Sequence, residues 1–328
     1  MTADPAAVET PAGPRRPGGA LTRRLARRLA QALVVLLATF TVTFILLQVM
    51  PGDSLMIRFE NPELGLSPEE IAHLREAYGA DRPVILQFFT TLGAFLTGDF
   101  GYSIATGTPV SELLIDALPG TAALAGTAFL VAVLLAGVIT LIGATRRFGW
   151  ISHAFANLPS LFVAVPVFWL GIMLVQIFSF RLGWISVIAP GPVEGLILPV
   201  LTIAVPISAP IAQILLRSMD EVRTAPFITV VRAKGAPDSW ILWRNVFKNA
   251  LLPTVTVAGV LFGELVGGAV VTETIFGRSG IGRIAEQAVA NQDTVVLQAV
   301  VLLTAAVFVV VTLIVDLLYP VLDPRLRT

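Results

Sequence analysis

The chain has 328 residues, of which 55% are hydrophobic and 13% charged, about half the roughly 25% charged share of a soluble domain. Its formal net charge is zero, so nothing in its bulk charge marks it for nucleic acid. It has no cysteine and two histidines far apart, His73 and His153, which excludes a disulfide framework and a thiolate metal site.

Residues 1–22 are rich in Pro, Ala and Gly with no apolar period, the composition of a disordered cytoplasmic tail. Arg23, Arg24, Arg27 and Arg28 then precede the uncharged run Leu29–Met50. A signal peptide would have an apolar region of about 7–15 residues and a small-residue cleavage site. This run is longer and lacks the site, so residues 23–50 are expected to form an uncleaved first span. Thr121–Ala144, Leu158–Phe180, Leu196–Leu216 and Thr294–Val315 are also uncharged, and Ala250–Val271 carries only Glu264. Each is long enough to cross about 30 Å of hydrocarbon at 1.5 Å per residue. Lipid leaves no partner for a free backbone group, and none of these runs alternates as a barrel strand would, so they are helices. The expected fold is an all-α integral membrane protein with six transmembrane helices.

Orientation follows from Lys and Arg. With both termini in the cytoplasm, sixteen basic residues lie inside and six outside, the bias that sets topology. Asp316 falls at the cytoplasmic end of the last span, where it is expected to be solvated. Residues 319–328 form a cytoplasmic tail.

Two connections are long. Residues 51–118 form an external segment between the first two spans. Ser67-Pro68-Glu69-Glu70 reads as a capping box with Pro at the first helical position, Gly79 as that helix's end, and 84–96 as a second helix, followed by a turn at Gly98–Gly101. The segment is either a spacer or a docking surface for something delivered from outside.

The cytoplasmic connection 217–249 carries more information. Thr224 is a candidate cap for a helix starting at Ala225, with Pro226 in its first turn. Phe227, Val230 and Val231 fall at i, i+3 and i+4, one apolar stripe. Arg232 and Lys234 suit the C-terminal end, and Gly235 is expected to stop the helix in the left-handed conformation. Asp238 is expected to cap a second helix bearing Trp240, Trp243 and Phe247 beside Arg244 and Lys248, a composition suited to the membrane boundary. That helix leads into the span at Leu252-Pro253. The apolar stripe must bury itself either on the chain's own helix ends or on a partner.

Within the spans, Gly259, Gly263 and Gly267 recur every four residues, a spacing that permits close helix approach. Glu264 lies on the same helix, and an intramembrane carboxylate faces an interior or a polar cavity. Its alternatives are a translocation path and an interhelical hydrogen bond. Pro199, Pro206 and Pro210 interrupt the fourth span and free carbonyls there.

Arg232-Ala233-Lys234-Gly235, with Leu252-Pro253 eighteen residues after the glycine, resembles the cytoplasmic signature loop of ATP-binding-cassette importer permeases, in the form of the dipeptide, oligopeptide and nickel branch. The likeness runs along nearly the whole chain: Leu25–Leu29 and Pro51-Gly52-Asp53; Asp81-Arg82-Pro83 and Gly98–Ser103; Leu118-Pro119-Gly120-Thr121; Glu273-Thr274-Ile275-Phe276; Gly280-Ile281-Gly282; and Asp323-Pro324-Arg325. It departs where the signature has Glu-Ala-Ala or a Thr-Ala variant, since this chain has Thr229, Val230 and Val231. Without the Glu, no ion pair forms there and the contact becomes more apolar.

The resemblance implies a non-catalytic subunit, residues 115–318 forming the permease domain, in the bacterial cytoplasmic membrane. Implied partners are a second related permease, one or two ATPase subunits on separate chains, an external substrate-binding protein and membrane lipid. Phe227, Val230, Val231, Arg232, Ala233, Lys234 and Gly235 would couple to the ATPase. Glu264, Gly259, Gly263, Gly267, Pro206 and Pro210 would line the path or pack helices. No P-loop, G-x-x-x-x-G-K-[ST], occurs in the chain, so ATP and Mg belong on the partner ATPases and this chain needs no cofactor or metal of its own. Di- or oligopeptides are the expected cargo, with nickel or another small solute as the alternative. A stand-alone secondary transporter would show repeated halves and more mid-span charge, and an intramembrane protease would need a base near a nucleophile. The chain offers neither.

Overall fold

The structure is a computed structural model, and it describes residues 18–49, 67–71, 82–145 and 149–322. Helix α1 spans Gly18–Val49, α2 Val84–Leu96, α3 Val110–Ala144, α4 Trp150–Ala164, and α5 Val167–Leu174, which widens into a π-helical turn at Val175–Arg181. Helix α6 spans Glu194–Arg223 and α7 Pro226–Ala233. A turn at Asp238–Trp240 and a π-helical stretch at Ile241–Phe247 run directly into α8, Lys248–Ile275. Helices α9 (Ile281–Ala290) and α10 (Thr294–Leu322) follow. No strand occurs among the described residues, only an isolated bridge between Tyr102 and Pro109.

Five of these helices are long and apolar enough to cross a membrane, and α4 with α5 forms a sixth candidate that is sharply bent. The span expected over Leu158–Phe180 is therefore not one continuous helix but this bent pair, which begins at Trp150. Pro166 has no N–H and crowds the residue before it out of the helical region. Val165 is accordingly extended (φ −87°, ψ 119°), and α5 leaves at 101° to α4. The fourth span behaves the other way: α6 stays helical through Pro199, Pro206 and Pro210. There is also no separate interfacial helix before Leu252-Pro253, because the chain is helical from Asp238 to Ile275 with Pro253 inside it.

Helices α3, α6 and α8 form the centre, with α4 and α5 against α6, α9 and α10 against α8, and α1 outermost on α10. Close approach at the centre comes from alanine. Ala128, Ala132 and Ala136 of α3 and Ala204, Ala209 and Ala212 of α6 have no exposed surface, and small side chains let backbones near each other. Leu124 of α3, Ile203 of α6 and Leu265 of α8 fill the space between.

Helix α1 begins at Gly18, inside the stretch read as tail, and residues 1–17 lie outside the described residues, as does Gly79. The capping box is present at Ser67: its N–H donates to Glu70 Oε2 at 2.8 Å, and the Glu70 N–H donates to Ser67 Oγ at 3.2 Å. The Ser67 N–H, and beside it the Ser67 hydroxyl, both donate to Glu70 Oε2 and lower the pKa of the exposed Glu70 carboxyl. Asp316 is not simply solvated, since it pairs with Arg28 at 3.1 Å. That pair puts the start of the first span and the end of the last on one side of the bundle.

Candidate functional site

At one end of the bundle, α6 runs into the segment 224–247. Thr224 does not cap α7: it ends α6, and its Oγ1 donates back to Glu221 O at 2.8 Å. Ala225, extended, is the N-cap, with Pro226 as the first helical residue. Asp238 likewise lies inside the next helical turn, with Pro237 as its N-cap.

The apolar residues of α7 divide between two faces. Ile228, 1% exposed, enters a cluster with Leu215, Met219, Ile241 and Val246, and Val231 packs beside it. Phe227 and Val230 point away, 44% and 56% exposed, with Arg232, Ala233 and Lys234 also exposed. The stripe read from sequence is therefore split: Val231 belongs to the anchoring face, and Ile228, not singled out in the sequence, is the anchor. Gly235 takes φ 83°, the left-handed region, and its N–H donates to Arg232 O at 3.0 Å. Arg232 reaches over this break to Asp238 at 3.5 Å. Arg223 Nη2 donates to Ala144 O at 2.6 Å, tying the segment to the end of α3. The exposed indoles of Trp240 and Trp243 follow.

In α8, the glycines also divide. A Cβ at Gly259 would collide with Val315, and one at Gly263 would lie 2.7 Å from Phe308, so both are close-packing sites against α10. Gly267 has open space around it. Glu264 is exposed on the free face of α8, which also carries Val260, Gly267, Gly268 and Val271. Pro206 and Pro210 are half-buried within α6. Pro199 has a visible consequence: it removes the N–H that would bond Gly195 O, and Arg278 Nη1 donates to that carbonyl instead, at 2.8 Å.

The opposite end of the bundle holds two buried carboxylates to which sequence reasoning gave no role. Glu273, 1% exposed, accepts from Thr121 Oγ1 at 2.6 Å and from the Arg283 N–H at 3.2 Å. Thr121 Oγ1 in turn accepts from the Ile281 N–H at 2.8 Å. Asp293, 2% exposed, accepts from Ser103 Oγ and the Ala105 N–H, and from the Val296 N–H at the start of α10. The first network joins Leu118–Thr121, Glu273–Phe276 and Gly280–Gly282. The second docks the Gly98–Ser103 turn. Each of these stretches was singled out in the sequence only as a carrier of the family resemblance, and nothing in the sequence signalled that they meet.

Residues 128–328 match the family described as "Binding-protein-dependent transport system inner membrane component", and residues 21–125 match its N-terminal membrane component. The chain belongs to this family. It is thus a permease subunit of an ABC importer, a multi-pass protein of the bacterial inner membrane, a transport subunit rather than an enzyme. The permease is 34% identical over 293 residues to the "Probable peptide ABC transporter permease protein y4tP" of Sinorhizobium fredii, covering 87% of this chain and 92% of that one. It is 32% identical over 286 residues to the glutathione transport system permease protein GsiC of Salmonella typhimurium, with the same coverage. Among solved structures it resembles the MetNI methionine ABC transporter in inward-facing conformations, with TM-score 0.55 and 18% identity, covering 65% of this permease and 97% of that chain. That likeness concerns the fold.

Proposed function

We propose that the permease pairs with a second, related permease around a path for peptides, and that α7 seats in a cleft of a separate ATPase subunit. The observation that carries this reading is the division of α7. Ile228 and Val231 fix the helix to α6 and the 241–247 stretch, while Phe227 and Val230 face outward and leave about half of their surface exposed. Two large apolar side chains on an eight-residue helix outside the spans fit a hydrophobic socket on a partner. The tie from Arg223 to α3 lets a push on α7 reach the central helices as a rigid-body motion, and ATP-driven closure supplies the differential affinity for two states. ATP and Mg sit on the ATPase subunits in this scheme.

The path is assigned to the free face of α8. Glu264 lies in the middle of that helix, where a carboxylate turned to lipid is costly, so a partner permease or a water-filled path covers this face. A binding protein delivers cargo at the end bearing Glu273 and Asp293. Peptide cargo rests on the names of the relatives, and a tripeptide such as glutathione falls in the same class.

The test uses the full complex in vesicles. Phe227→Asp and Val230→Asp should each lose most ATPase co-purification and ATP-dependent uptake of a labelled di- or tripeptide, while the two permeases stay together. Retention of the ATPase by both variants would overturn the seating of α7. Uptake of nickel but not peptide by the parent would overturn the cargo alone.

A further inference from the structure

We infer that α2, in the segment between the first two spans, is sunk in the hydrocarbon of one leaflet, that on the side away from α7, and that its partner is lipid. From Pro83 to Gly98 the chain has no charge, with Arg82 before and Asp99 after. None of the thirteen residues of α2 is buried. Ile85, Phe89 and Leu96 are 75%, 63% and 77% exposed and stand at i, i+4 and i+11, one face of the helix.

Depth follows from aromatic contacts. Phe88 packs on Phe40 and Phe44 of α1, each at 5.4 Å between ring centres, and Phe95 packs on Phe40 at 5.5 Å. The Arg28–Asp316 pair sets the register of α1 against α10. At 1.5 Å per residue, Phe40 is about 18 Å along α1 from that pair, whereas α10 starts at Thr294 about 33 Å from it. Both phenylalanines of α2 therefore touch α1 at roughly 15 Å below the level where α10 begins, inside the span. Val42, Ile45 and Leu46 of α1, at a similar depth, are likewise apolar and exposed.

A segment at this depth keeps its backbone bonds by being helical. Two of its hydroxyls are also satisfied internally, Thr90 on Leu86 O and Thr97 on Ala94 O, both at 2.9 Å. At about 20 Å long, α2 is too short to cross 30 Å of hydrocarbon, so it enters and returns on the same side. It returns through the Gly98 turn and the 101–109 hairpin that Asp293 holds.

The chain has no cysteine, so single substitutions can be labelled without background. Ile85→Cys and Phe89→Cys would carry a nitroxide, with Val42→Cys as the lipid reference and Thr106→Cys, exposed in the hairpin, as the water reference. The permease is reconstituted in phosphatidylcholine vesicles with partner subunits free of reactive cysteine and without binding protein. Collision with oxygen is compared with collision with a water-soluble nickel chelate. Positions 85 and 89 should match Val42 and give an oxygen-to-nickel ratio several times that of Thr106. A ratio like that of Thr106 would put α2 in water, and exclusion of both reagents would put it under another protein. Either result overturns the inference.

Discussion

Thr121 serves two groups at once, its hydroxyl donating a hydrogen bond to Glu273 and accepting one from the Ile281 N–H. Valine has the same shape without the hydroxyl, so Thr121→Val leaves a buried carboxylate and a buried N–H each short of a partner, at a cost of about 1–3 kcal/mol. It should lower the melting temperature of the detergent-solubilised complex, and Thr121→Ser should restore most of it. Equal melting for Val and the parent would show that the network contributes nothing to stability. Glu264 calls for a different comparison. Glu264→Gln keeps hydrogen bonding and should retain far more uptake than Glu264→Lys, whose permanent positive charge is costly on a face covered by a partner permease or lining a cargo-sized path. Equal uptake at matched membrane expression would mean that Glu264 simply faces open water. Neither Glu273 nor Asp293 was legible as a site from sequence, because Thr121 lies 152 positions from one and Ser103 lies 190 from the other. Pairing at that separation is decided by how the spans pack.

Among elements, the spans were legible because lipid allows few alternatives: an uncharged run of that length has to be a helix. What the runs did not reveal was shape. Val165-Pro166 bends its span by 101°, while three prolines leave α6 helical, since a freed carbonyl such as that of Gly195 finds Arg278. The direction of the α7 stripe was illegible for a related reason. Residues 227, 228, 230 and 231 are all apolar, so the pattern alone assigns no inward side, and the cluster around Met219 decides it. The glycine that ends α7 was legible because the left-handed region costs other residues roughly 1–2 kcal/mol. Gly235→Val should preserve membrane insertion yet misdirect α7, weakening ATPase co-purification and strongly reducing uptake, and Gly235→Asn should be milder. Parent-like binding and transport by Gly235→Val would remove this break from the coupling scheme.

At the scale of the whole molecule, the missing P-loop predicts that the purified permease hydrolyses no ATP alone. ATP-dependent uptake should appear only with a second permease and ATPase subunits, and stimulated uptake only with a binding protein. Hydrolysis by the single chain would sink that division of labour. The seam between α1 and α10, fixed at Arg28 and Asp316, bears on how the protein is made. Ribosomes add about 5–20 residues per second, so Arg28 waits roughly 15–60 s for its counter-ion to be synthesised. During that interval α1 has to persist in the bilayer without α10, which its uncharged run from Leu29 onward permits. Docking of the first-made helix is thus among the last events of biogenesis.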